Sequence, residues 1–83
     1  MSMPTFSGYD VLKVLVNTGN FAHVRTTGDH AQLRYEHPTN DDDVRTVTVP
    51  LHDEISTGTL RNIGEQAGMQ DFDRFKRWID ANR

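Results

Sequence analysis

Two short runs of strict alternation constrain this chain more than any other feature. In residues 30–35, Ala31, Leu33 and Tyr35 face one way, and His30, Gln32 and Arg34 face the other. In residues 44–49, Val47 and Val49 take an apolar side and Thr46 and Thr48 a polar one. A period of two with β-branched enrichment reads as half-buried strand. A third segment, residues 21–26, alternates as well, with Ala22 and Val24 opposite His23 and Arg25. Thr27-Gly28-Asp29 reads as a hairpin turn and Pro50 as the end of the last strand. Three such strands make an antiparallel meander whose apolar face must be covered.

Helices supply the cover. Ser7 is placed as an N-cap with Asp10 three residues on, and Phe6 and Val11 fall at the spacing of a hydrophobic staple. Val11, Leu12, Leu15 and Val16 form one apolar stripe, and Asn17-Thr18-Gly19 ends the helix, with Gly19 free to turn left-handed. Thr57-Gly58-Thr59 opens a second helix, with Leu60, Ile63 and Ala67 on one face and Gly68 closing it. Phe72, Phe75, Trp78 and Ile79 repeat at helical steps, so a third helix is expected from about Asp71 to Ala81. The fold class is therefore α+β, in the order α-β-β-β-α-α, with helices packed on one face of a three-stranded antiparallel sheet. Residues 1–83 form a single domain.

A chain of 83 residues has a thin core, and with no cysteine it has neither a disulfide framework nor a thiolate metal site. No apolar run is long enough to span a membrane, and Met1-Ser2-Met3-Pro4 lacks the features of a signal peptide. A cytoplasmic location is expected. Twelve acidic residues against nine basic ones give a net charge of −3. Nucleic-acid binders usually lean the other way. The acid is mostly Asp, and lysine occurs only at Lys13 and Lys76. That balance is expected of a protein kept soluble in high salt, where a Debye length of about 3 Å at 1 M removes long-range repulsion.

The uncovered sheet face is expected to carry His23, Arg25, His30, Gln32, Arg34, Thr46 and Thr48. Imidazoles, guanidiniums and hydroxyl or amide groups on one surface suit phosphate and ribose contacts. The same polarity is also what any solvated sheet face shows.

Several blocks, in order, resemble one family. They are Phe6-Ser7-Gly8, Gly19-Asn20-Phe21, Arg25-x-x-Gly28-x-His30, Val47-Thr48-Val49-Pro50-Leu51-His52, Gly58-Thr59-Leu60-Arg61-x-Ile63 and Ala67-Gly68. Together, from Pro4 to about Phe75, they resemble HicA-type toxins. The resemblance implies a fold like that of double-stranded-RNA-binding domains. It also implies an mRNA interferase of a type II toxin–antitoxin pair, held inactive by a HicB-type antitoxin. The family's catalytic histidine maps onto His30. The chain departs from the pattern at Asp29, where the family usually has Ser or Thr, and in the longer acidic loop of residues 38–43. A carboxylate beside the histidine can orient the ring or can repel the scissile phosphate. A module of the same fold that binds RNA or protein without cutting is therefore the alternative.

Metal-free RNA cleavage uses the substrate's own 2′-hydroxyl. It needs a base for that hydroxyl, an acid for the leaving 5′-oxygen, and positive charge on the phosphate. Imidazole suits the first two roles. His30 is assigned as the base, Arg25 and Arg34 as phosphate contacts, and His23 and Gln32 as further RNA contacts. His23 and His52 are candidates for the acid, although His52, at the end of a strand, also fits a structural role. His37, before Pro38, reads as a turn residue. No histidine pair has helical zinc-site spacing, and Asp41-Asp42-Asp43 lacks the glycine and distal glutamate of a calcium loop. No cofactor is expected. RNA rather than DNA is the expected nucleic acid; a double-stranded-RNA binder would want a Lys-rich helix start, where Thr57 onward offers only Arg61.

Overall fold

The computed structural model of the chain describes residues 5–83; the reading of residues 1–4 as lacking a leader lies outside them. The order of elements is α1 (Gly8–Asn17), β1 (Ala22–Thr27), β2 (His30–Glu36), β3 (Val44–Pro50), α2 (Thr57–Gln66) and α3 (Phe72–Asn82). The strands form one antiparallel sheet in the order β1-β2-β3. This is the expected α-β-β-β-α-α architecture.

Local chemistry starts each helix where expected. The Ser7 hydroxyl accepts from the Asp10 N–H at 3.1 Å, and Phe6 and Val11 are both buried. Asp71 caps α3 by accepting from the Arg74 N–H. Ser56, one residue before the expected start, caps α2 by accepting from Thr59. At the end of α2, Gly68 N–H donates to the Glu65 carbonyl and Met69 N–H to that of Gly64, the paired bonds of a Schellman motif.

The end of α1 differs from expectation. Asn20, not Gly19, carries the positive φ, at 62°. A Cβ on Gly19 would lie 2.8 Å from the Leu15 carbonyl oxygen and 3.1 Å from Trp78, so this glycine is needed for close packing instead. Asn tolerates the left-handed region better than most residues. The apolar stripe of α1 also sits slightly differently: Val11, Val14 and Leu15 are buried, and Leu12 and Val16 only partly.

The core lies between one sheet face and the helices. Ala31 and Leu33 of β2 and Val47 and Val49 of β3 are fully buried on it, with Ile63, Phe75 and Ile79 from the helices. Leu33 pairs with Val47 and Ala31 with Val49, so the period of two holds across both strands. Strand β1 does not share this core. All six of its residues are exposed, Val24 at 57%, and α1 and α2 pack on β3. Ala22 and Val24 thus form no buried face. The β1 register also shifts between His23 and Arg25, leaving Val24 as the extra residue of a bulge.

A second constraint joins the ends of the sheet and the first helix. Gly8 N–H donates to the His52 carbonyl at 2.9 Å, and Ile55 N–H to the Phe6 carbonyl at 2.9 Å. Gly8 lies so close to β3 that a Cβ would overlap the Pro50 carbonyl oxygen. That neighbour is backbone and cannot swing aside. Gly8→Ala is therefore expected to destabilise the fold by about 1–3 kcal/mol, as overpacking does. Gly58→Ala, in α2 with open space around it, is expected to be neutral or to stabilise by up to about 1 kcal/mol. Urea midpoints of the two variants check the contrast; equal midpoints would contradict the packing role of Gly8.

Candidate catalytic cluster on the sheet

His30 opens β2 immediately after a two-residue hairpin loop, Gly28-Asp29. Gly28 has φ 60°, which suits the first central position of the turn that matches strand twist. The turn sets Asp29 beside the strand, and its Oδ1 lies 2.9 Å from His30 Nδ1. Asp29 Oδ2 lies 2.8 Å from His52 Nε2. One carboxylate thus holds two imidazoles, 22 residues apart in sequence. The backbone supports the same meeting, because Leu51 N–H donates to the Asp29 carbonyl at 2.6 Å and His30 pairs with Pro50.

The Asp29 carboxyl is held below its ordinary 3.8, chiefly by the hydrogen bond from His52. Partial desolvation opposes this, and the nearby His30 charge adds to it. Ionised at neutral pH, the carboxylate can only accept, so His30 donates from Nδ1 and His52 from Nε2. His30 Nε2 and His52 Nδ1 then remain available, with no hydrogen-bond partner among the described residues. All three side chains are about half exposed, at 56% for His30, 55% for Asp29 and 54% for His52. The cluster lies on an open surface, not in an enclosed pocket.

The polar sheet face continues from His30. Register places Gln32 opposite Arg25 and Thr48, and Arg34 opposite Thr46. Arg25 Nε donates to Gln32 Oε1 at 3.3 Å and has no carboxylate partner among the described residues. Arg34 is paired with Glu36 at 2.8 Å, an exposed contact worth only about 0–1 kcal/mol.

His23 does not join them. The bulge at Val24 pairs it with Leu33, the buried residue of β2, and its Nε2 lies 2.7 Å from Thr26 Oγ1. Thr26 in turn pairs with Ala31, also of the core face. The expectation that His23 shares a face with Arg25 and His30 is therefore corrected: the inserted residue reverses its parity. His37 does act as a turn residue. Its Nδ1 accepts from the N–H groups of Thr39 and Asn40, at the end of β2 remote from His30. Among the described residues no group of three or more His, Asp and Glu side chains is arranged to hold a metal.

What sequence reasoning missed is the link between Asp29 and His52. The Gly28-Asp29-His30 and Pro50-Leu51-His52 blocks were each visible, but nothing in the spacing showed that they meet.

The fold and this surface define a small α+β domain that presents a polar sheet face ending in a carboxylate–imidazole cluster. Residues 8–69 match the family described as HicA toxin of bacterial toxin–antitoxin, and the chain belongs to the HicA toxin family. No curated protein and no solved structure matches it. The match covers the cluster, all three strands and the first two helices. It makes the chain a toxin component of a toxin–antitoxin system and points to an antitoxin as a partner.

A titration tests the electrostatics of the cluster. Because the folded carboxyl is depressed, the stability it contributes is complete above pH 3.8 and is lost as pH falls through the folded value. The Asp29 side-chain carbon, followed by NMR, is expected to titrate below 3.8 and to move upward in His52→Ala. A midpoint unmoved by that substitution would contradict the assigned cause.

Proposed function

We propose that this toxin is an endoribonuclease that cleaves mRNA without a metal ion, with His30 as the general base. The observation that carries the reading is the Asp29–His30 contact of 2.9 Å in a chain of the HicA toxin family. A carboxylate accepting from Nδ1 fixes the tautomer that leaves the Nε2 lone pair exposed. When Nε2 takes a proton, the imidazolium forms beside a negative charge that stabilises it.

In the reaction, Nε2 removes the proton of a ribose 2′-hydroxyl, and the 2′-oxygen attacks the adjacent phosphorus. Cleavage releases one fragment ending in a 2′,3′-cyclic phosphate and another beginning with a 5′-hydroxyl. Arg25 and Arg34 contact phosphates, and Gln32, between them on the sheet face, contacts phosphate or ribose. Arg25 is the stronger candidate because no carboxylate among the described residues competes for its charge. His23, turned to the other side of β1, is not assigned an RNA contact. A HicB-type antitoxin covering the open face would block access to RNA. The site of action is the cytoplasm, where messages are translated.

A second reading is a binding module of the same fold that does not cut. It is favoured by the net charge of −3 and by Asp29 in the position where Ser or Thr is usual in the family.

Cleavage of a labelled mRNA by wild type and His30→Ala, with EDTA, at low and at molar salt, separates the two. Cutting by wild type is expected to persist in EDTA and to fall about 10²–10⁴-fold in His30→Ala. If both proteins are folded and neither cuts, the binding module is the better account. RNA affinity gives an independent check on the sheet face. Arg25→Ala is expected to lower the slope of log K against log salt by about 0.7, one phosphate contact to a single strand. An unchanged slope would remove Arg25 from the interface.

A further inference from the structure

The base assigned to His30 leaves half of the proton chemistry unaccounted for, since the departing 5′-oxygen also needs a proton. We propose that His52 is the general acid of the reaction and that Asp29 is the positioning residue that holds it beside His30. This rests on the reading of the chain as a ribonuclease.

Geometry selects His52 from the four histidines. Its Nε2 is fixed at 2.8 Å on the same carboxylate that holds His30 Nδ1 at 2.9 Å. The two oxygens of one carboxylate therefore bring the two rings into one cluster. His52 is held from the backbone as well, through its carbonyl on Gly8 N–H and through the neighbouring Leu51 N–H on the Asp29 carbonyl. His23 lies on the Leu33 side of the sheet. His37 lies beyond the far end of β2, roughly 20 Å away at the usual rise of a strand.

The arrangement also supplies the right atoms. With Nε2–H donated to Asp29, protonated His52 presents Nδ1–H to solvent. As the 2′-oxygen bonds to phosphorus, its proton passes to His30 Nε2. The bond from phosphorus to the 5′-oxygen breaks, its electron pair stays on that oxygen, and the oxygen takes the proton from His52 Nδ1. Each imidazole then returns to its starting state by exchange with water. Asp29 touches no reacting atom. It fixes which nitrogen of each ring is bonded to it and which is left for the substrate.

A leaving-group substitution tests the assignment. RNA bearing sulfur in place of the bridging 5′-oxygen, at a position that wild type is known to cut, departs as a thiolate and needs no acid. His52→Ala is expected to cut ordinary RNA about 10²-fold or more slowly than wild type, yet to cut the sulfur-bridged RNA within about tenfold of it. His52→Gln, which can still donate to Asp29 but cannot act as an acid, is expected to behave the same way and guards against a folding defect in the alanine variant. His30→Ala should be slow on both substrates. Wild-type kcat/KM should be bell-shaped in pH, and His52→Gln should lose the fall at high pH. Asp29→Asn should alter the pH profile and lower kcat more than it raises KM.

If His52→Gln cuts ordinary RNA as fast as wild type, or is equally slow on both substrates while folded, His52 is not the acid. If folded wild type cuts neither RNA, the ribonuclease reading itself fails, and that result is distinct from either outcome for His52.

Discussion

The contact on which this small fold turns is the close approach of Gly8 to the end of β3. The first N–H of α1 has no partner within its own helix, and here it donates to the His52 carbonyl. Only a residue without a Cβ fits against the Pro50 carbonyl, so the bond and the glycine come together. This joint ties the chain after β3 to the start of α1 over residues 51–55, with Ile55 bonded to Phe6. It also fixes His52 relative to the hairpin, since Leu51 bonds to Asp29 one residue away. A surface cluster of exposed side chains would otherwise have little to hold it, because solvent screens exposed ion pairs. Backbone bonds carry the placement, and the side chains follow.

Much of this was legible in the sequence where one local rule decided the outcome. Ser7 capping α1, the burial of Leu33, Val47 and Val49, and the turn role of His37 each follow from spacing or from a single residue's chemistry. The failures have a common physical cause. A bulge adds one residue to a strand with no mark in composition, so Val24 reversed the parity of His23 unseen. The exposure of Ala22 and Val24 depended on where helices reach across the sheet, and they stop short of β1. Gly19 was read for its freedom at a helix end, but Leu15 and Trp78 crowd it and Asn20 makes the turn. The Asp29–His52 contact spans 22 residues between positions, and only the antiparallel closure of β2 on β3 brings the two together.

Asp29 gains significance from that closure. Read beside His30 alone, it is a departure from the family's usual hydroxyl residue. A hydroxyl has one proton and rotates to suit its neighbours. An ionised carboxylate instead offers two oxygens, both acceptors, and imposes the same sense of donation on each imidazole. The substitution therefore changes what can be arranged: two rings can be oriented by one side chain.

For the proposed RNA substrate, the acidity of the chain matters less than its net charge suggests. At physiological ionic strength a charge is screened over about 8 Å. Residues 41–43 follow the end of β2 remote from His30, roughly 20 Å along the strand, so their carboxylates contribute little field at the cluster. Nearer the site, Arg25 has only a neutral partner among the described residues, Gln32, and Glu36 opposes Arg34 through a contact weak enough to be exchanged for a phosphate. At the cluster itself, both oxygens of Asp29 are already occupied by imidazole N–H groups. In the proposed reaction one of the two rings is protonated, and the charges of Asp29, His30 and His52 then sum to zero. On the proposed reading, Arg25 and Arg34 supply the positive charge that an approaching strand meets on this face.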